Sequence, residues 1–211
     1  MSQTVSSWPG KLATRLDSAL RLVEMAELLS QPVATAVGRI WLSPWRLVDL
    51  YEMAYLRMFA AWESFLEETF VRYLCGFRSA TGPMAPRNYR SLRDARIAVW
   101  GRPDGYVLWH NAQRVVSLAR QHMPGGPHEL VVSSAMADLE RWAAVRHRIA
   151  HDNEHARRGF ERAALALGGR SYWGARAGLF LRDWDQVASP AQRRIHSIGL
   201  ALRGLARQIA P

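Results

Sequence analysis

The chain has 211 residues, 49% of them apolar and 22% charged, which is apolar enough for a buried core and excludes wholesale disorder. It has no uninterrupted apolar run of about eighteen residues, so no membrane span is expected, and Met1 to Lys11 lacks the basic start and apolar stretch of a secretory signal. The 28 basic residues outnumber the 18 acidic ones for a net charge of +10; every basic residue except Lys11 is arginine, which suits a polyanion partner and equally an arginine-rich codon usage.

Apolar residues at helical spacing predict a first helix over 11–29, through Leu12, Leu16, Ala19, Leu20, Val23, Ala26 and Leu28. Gln31-Pro32 ends or kinks it. Ser43-Pro44 pairs a cap residue with a proline at the first helical position. From there the pattern runs through Tyr51, Phe59, Trp62, Phe65 and Phe70 to a stop at Gly76. Cys75, the lone cysteine, sits among Tyr73, Leu74 and Phe77 and reads as a buried thiol; with no disulfide partner it suits a reducing cytoplasm.

Residues 78–105 are rich in Gly, Pro and Arg and predict an irregular connection with a short helix over 92–100 and a turn cluster at 101–105. A third main helix covers 108–122. A fourth starts near Ser133 or Ser134, bends at Asp152-Asn153 and continues to Gly168-Gly169. Residues 178–184 alternate weakly and predict a short extended piece, and Ser189-Pro190 opens a last helix to Ile209. The expected fold is therefore all-α: a bundle of four or five helices with one long irregular connection, divided into an N-terminal helical extension, 1–43, and a main helical domain, 44–211.

The fourth helix carries Arg146-His147-Arg148-Ile149-Ala150-His151. Arginine keeps its charge at any cellular pH and forks two donors onto phosphate oxygens, while histidine exchanges a proton near neutrality. Together they serve phosphodiester cleavage, in which the RNA 2′-hydroxyl attacks the adjacent phosphorus without a metal. Five residues of helix separate Arg146 from His151 by about 140°, so one helix does not aim both at one atom. A break at Asp152-Asn153, or a second copy of the helix, would help. His147, His151 and His155 recur at fours along one face. They carry the right ligand atoms for zinc, but Arg148 stands where a metalloprotease helix needs its glutamate, and the surrounding arginines repel a divalent cation. No metal and no cofactor are expected.

The segment RHRIAH resembles the R-x4-H motif of the HEPN family, small all-helical domains common in toxin–antitoxin and antiphage systems. Phe59-Ala60-Ala61-Trp62-Glu63-Ser64-Phe65-Leu66-Glu67 is similar to the first core helix of the ribonuclease L and toxin branch of that family. Gly105-Tyr106-Val107-Leu108-Trp109 and Gly178-Leu179-Phe180-Leu181 extend the likeness, which spans roughly 47–209. The resemblance implies a metal-independent endoribonuclease that acts as a toxin or antiphage effector. It also implies a homodimer in which two motifs form one cleft, RNA as substrate and a cognate antitoxin as a possible partner. Arg146 and His151 would then be catalytic, with His147 orienting the site or binding phosphate.

Arg141, Arg148, Arg157 and Arg158 flank the motif and are candidates to hold the RNA backbone. Glu63 and Glu67, four apart on one helical face, are either a solvated stripe or supports that orient Arg146 or His151, as is Asp152 beside His151. Trp62, Phe65 and Phe70 read as core; Trp109 and Trp173, near loops, are the best candidates for stacking on bases. The competing reading is a catalytically silent helical module that binds a nucleotide, a nucleic acid or a partner protein.

Overall fold

The computed structural model describes residues 4–31, 33–35, 38–40, 42–83, 85, 87–102 and 105–211. Pro32, Pro103 and Asp104, used in the sequence reading, lie outside them. The protein is all-α. Among the described residues there are nine α-helices: α1 (Trp8–Leu29), α2 (Pro44–Leu74), α3 (Leu92–Trp100), α4 (Ala112–His122), α5 (Pro127–Ser134), α6 (Met136–Ala150), α7 (Glu154–Gly168), α8 (Ala177–Arg182) and α9 (Arg194–Ile209). Five of them, α1, α2, α6, α7 and α9, have fifteen residues or more. The strands are three short antiparallel pairs: Val33–Thr35 with Gly38–Ile40, Arg78–Ser79 with Gly82–Pro83, and Trp184–Asp185 with Gln192–Arg193. Among the described residues no helix is long and apolar enough to cross a membrane.

Local chemistry sets the helix ends. Ser43 Oγ accepts from the Arg46 N–H ahead of Pro44. Ser91, Asn111 and Asn153 cap α3, α4 and α7, each accepting an N–H three residues on. Gly169 closes α7 at φ 68°, a left-handed turn that a residue with a Cβ resists.

The chain divides into two compact units: Met1–Ala13, Ala60–Glu140 and Ala201–Pro211 form the first, and Thr14–Phe59 with Arg141–Leu200 form the second. The boundary between the units within α1 falls between Ala13 and Thr14. Val5 and Leu12 are buried, and so are Leu16, Leu20 and Val23.

In the first unit Trp62, Phe65, Phe70 and Leu74 of α2 are buried, as are Trp109 and the α4 residues Val115 and Leu118, and the Phe70 ring meets Trp109 edge-on at 5.4 Å. Cys75 is buried as expected, and burial raises its thiol pKa, so it is a poor nucleophile. In the second unit Tyr51 and Tyr55 of α2, Trp142 and Val145 of α6, Phe160 of α7 and Phe180 of α8 are buried. The Tyr55 hydroxyl donates to the Trp142 carbonyl at 2.9 Å, fixing α6 against α2. Glu27 collects Tyr51 and Arg182, with Arg193 at 3.3 Å. Burial alone would raise the Glu27 carboxyl, but the bonds from Arg182 and Tyr51 and the charges of Arg182 and Arg193 outweigh it and hold it below the ordinary range.

Four elements differ from the sequence expectation. The predicted extended piece at 178–184 is the helix α8 plus the first strand of a hairpin. Its helical turn is set by tertiary contact: Glu52 accepts the Gly178 N–H at 2.9 Å, and Phe180 and Leu181 are buried. The last helix starts at Arg194 rather than Ser189, because 184–193 folds into that hairpin. Between the predicted third and fourth helices lies a further helix, α5, with Pro127 in its first turn, where a missing N–H costs nothing. The third main helix begins at Ala112, because Asn111 supplies the cap.

Candidate functional site

The motif lies in the second unit. α6 runs straight through Arg146 and His147 and ends at Ala150, so His151 stands just past the last turn, its N–H still donating to the His147 carbonyl at 3.0 Å. Asn153 then caps α7, so the break expected at Asp152-Asn153 is present. His151 is exposed, while Arg146 and His147 are half-buried. The three imidazoles gather: the His147 and His151 rings are 4.5 Å apart, and His147 and His155 are 6.1 Å apart and nearly perpendicular. Among the described residues no group of three or more His, Cys, Asp or Glu is placed to hold a metal ion.

A cavity of about 410 Å³ opens against the end of α6, lined among others by Asp49, Glu52, Arg148, Asp152, Trp173 and Arg176. Arg148 is its cross-brace. Its Nε donates to the Ala175 carbonyl at 3.1 Å, and its Nη1 donates to the His151 carbonyl at 3.3 Å and to Asp152 Oδ1 at 3.0 Å. Arg148, proposed to hold RNA, is therefore committed to protein oxygens. Asp152 supports the site through Arg148 rather than through an imidazole. Ala175 has φ 48°, a left-handed conformation that costs an alanine about 1–2 kcal/mol, and its carbonyl is the one Arg148 holds. Burial, and secondarily the charge of Asp49, raises the Glu52 carboxyl above its ordinary pKa despite the bond from the Gly178 N–H.

Arg157 and Arg158 are more available. Arg157 lies 3.3 Å from Glu161 and Arg158 lies 2.9 Å from Glu154, all on the exposed face of α7. Such pairs are worth about 0–1 kcal/mol, so a phosphate can displace a carboxylate from either guanidinium. Arg141 is half-buried on α6. Glu63 and Glu67 belong to the first unit. Glu63 accepts from the Tyr106 hydroxyl at 3.1 Å and lies 3.6 Å from His110 Nδ1, and Glu67 lies 3.5 Å from Arg96 Nε. Both carboxylates are thus engaged with the 96–110 segment of their own unit. Trp109 is 1% exposed and edge-on to Phe70, which removes it as a stacking platform; Trp173 is 72% exposed and keeps that role.

Sequence reasoning missed Trp45, Asp49, Glu52 and Arg176. The first three rise from the opening turns of α2, roughly a hundred residues from the motif, and no local pattern marks them. The local signal there is that Asp49 and Glu52 put two carboxylates three apart on one side of the opening turns of α2. Comparison with protein-family models, with curated proteins and with solved structures finds no match for this chain.

Proposed function

We propose that this protein is a HEPN-type, metal-independent endoribonuclease. The observation that carries the reading is His151 itself: an exposed imidazole released from the end of α6, 4.5 Å from a second imidazole and five residues from Arg146. His151 acts as the general base or acid, taking the 2′-hydroxyl proton or returning one to the leaving 5′-oxygen. Arg146 steadies the charge that builds on the phosphoryl oxygens, His147 orients the site, and Arg141, Arg157 and Arg158 hold the backbone. A role as toxin or antiphage effector, restrained by a cognate antitoxin, follows from the same reading. Incubation with mixed RNA in excess EDTA is expected to give products ending in 2′,3′-cyclic phosphate. Strict dependence on a divalent ion, or intact RNA, would overturn the proposal.

The composite site requires a homodimer. Trp142 and Val145, the apolar side of α6, are buried within the chain, so they are not the dimer surface. The pairing face is the one bearing the histidines. Sedimentation is expected to report twice the 23.9 kDa chain mass, and a monomer that still cleaves RNA would refute the shared cleft.

A second reading, a silent nucleotide-binding module, is favoured by one feature. The cavity beside the motif joins an exposed tryptophan to charged groups, a combination that suits a nucleotide whether or not it is cut.

A further inference from the structure

Trp173 is the wall between two hollows. On one side lies the cavity of about 410 Å³ at the end of α6, lined by the carboxylates of Asp49, Glu52 and Asp152 and by the guanidiniums of Arg148, which bonds Asp152, and Arg176, which stands over Trp45. On the other lies a cavity of about 370 Å³, whose charged lining is Arg170, Arg182 and Arg193 against the single carboxylate of Asp183. Some of that positive charge is already answered. Arg170 reaches Asp183 at 2.8 Å, and Arg182 and Arg193 share Glu27 at 2.9 and 3.3 Å. The wall nevertheless carries three guanidiniums to one carboxylate.

The ring of Trp173 is 72% exposed, and Trp45 beside it is 52% exposed. Their centroids are 5.9 Å apart, with the Arg176 guanidinium 4.5 Å above Trp45 and 6.0 Å from Trp173. An indole this exposed, stiffened by a neighbouring indole and a cation, is a flat surface held ready for another ring. A nucleotide has the matching polarity: a planar base bearing N–H donors at one end and an anion at the other.

We propose that the two hollows hold one nucleotide of single-stranded RNA, its base a guanine stacked on Trp173 with its donor edge toward Asp49 and Glu52, and its phosphate toward Arg170, Arg182 and Arg193. The RNA part of this rests on the ribonuclease reading above. Guanine is the base that places two adjacent N–H donors, N1–H and N2–H, on one edge, where the two oxygens of a carboxylate can accept both. Adenine and cytosine each alternate an amino donor with a ring acceptor, and uracil sets one N–H between two carbonyls. Glu52 has one oxygen fixed by the Gly178 N–H at 2.9 Å, so its carboxylate is already oriented. Burial raises its pKa, and two incoming donors would favour its ionised form. The base would then be read beside His151, since Arg148 bonds both the His151 carbonyl and the wall at Ala175. Cleavage next to a guanine follows.

Calorimetric titration of the full chain with GMP, AMP, CMP, UMP and guanosine tests this without any catalysis. GMP is expected to bind at least about tenfold more tightly than the other nucleotides. Trp173→Ala should weaken GMP roughly tenfold or more, given about 1–3 kcal/mol for a stacked base, and Trp173→Phe should recover most of that. Glu52→Gln should erase the preference for GMP over AMP, and Arg170→Ala should weaken GMP while leaving guanosine unchanged. No GMP binding at millimolar concentration, equal binding of all four nucleotides, or an unaltered Trp173→Ala would overturn the assignment. RNA cleavage without GMP binding sinks this inference alone, whereas GMP binding without cleavage sinks the ribonuclease reading and leaves this one standing.

Discussion

Replacing His151 with alanine is expected to lower RNA cleavage by about 10²–10⁴-fold, the range for losing a positioned proton-transfer group. The site lends itself to a clean measurement. His151 is exposed and lies beyond the final turn of α6; its backbone N–H and carbonyl bond His147 and Arg148, and its ring meets the half-buried His147 ring at 4.5 Å. Alanine keeps both backbone groups, so the melting temperature should stay within a degree or two of the parent. RNA affinity and its salt dependence should also persist, because phosphate contacts carry them. Arg146→Ala should cost a comparable factor in turnover. His155→Ala, whose ring stands 6.1 Å from His147, should cost far less. A His151→Ala protein with parental cleavage rates would remove the mechanism, whatever the fate of RNA binding.

Acid should destabilise the fold through His128, by roughly 5 kcal/mol in full. The imidazole is 0% exposed, with Phe70 and Tyr73 meeting its ring edge-to-face at 5.1 and 5.9 Å. Its Nε2 lies 3.0 Å from Thr69 Oγ1 and 3.2 Å from the Leu66 carbonyl, and its Nδ1 is buried without a hydrogen-bond partner. Thr69 gives its own proton to the Phe65 carbonyl at 2.7 Å, so Nε2 is the protonated nitrogen of a neutral ring. A second proton would put an unpaired N–H and a charge among apolar groups. Burial therefore pushes the pKa from 6.5 down to about 3.

The sign follows from linkage. Below pH 6.5 the unfolded chain takes up a proton that the folded chain refuses, so stability present above pH 6.5 drains away as pH falls toward 3. The slope is about 1.4 kcal/mol per pH unit. His122 and His196, also pushed down by burial, act in the same direction. Urea unfolding at pH 6.5 and pH 5 should show a loss of about 2 kcal/mol or more, before most carboxylates titrate. His128→Gln should flatten that loss even though it weakens the fold at neutral pH. Equal pH dependence in the two proteins would show that His128 is not the acid-sensitive group.

The parts of the fold that local chemistry decides were legible in the sequence. Ser43-Pro44 opens α2, Asn153 separates α6 from α7, and Gly168-Gly169 closes α7. The short pieces were not legible. α8 has six residues, too few for a periodicity to emerge, and its helical turn answers to contact with α2. A Cβ at Gly178 would lie 2.3 Å from the Val48 carbonyl. What looks like a residue of an alternating strand is therefore the point at which two backbones nearly touch. The same division holds for the site. Arg146, His147 and His151 lie within six consecutive residues and can be read directly. The cavity beside them is assembled from α2, the end of α6 and the 173–177 turn, and only the folded chain brings those together.

That assembly sets an order in time. Asp49 and Glu52 leave the ribosome early, the RHRIAH segment follows nearly a hundred residues later, and the turn holding Trp173 and Ala175 comes later still. At about 5–20 residues per second, the interval between Glu52 and Trp173 is on the order of ten seconds. Over its last stretch, from His151 to Trp173, the emerging chain carries the RHRIAH segment without the pocket beside it, for about one to four seconds. Under the ribonuclease proposal, a site completed this late in its own translation would spare the message and the ribosome that are making it.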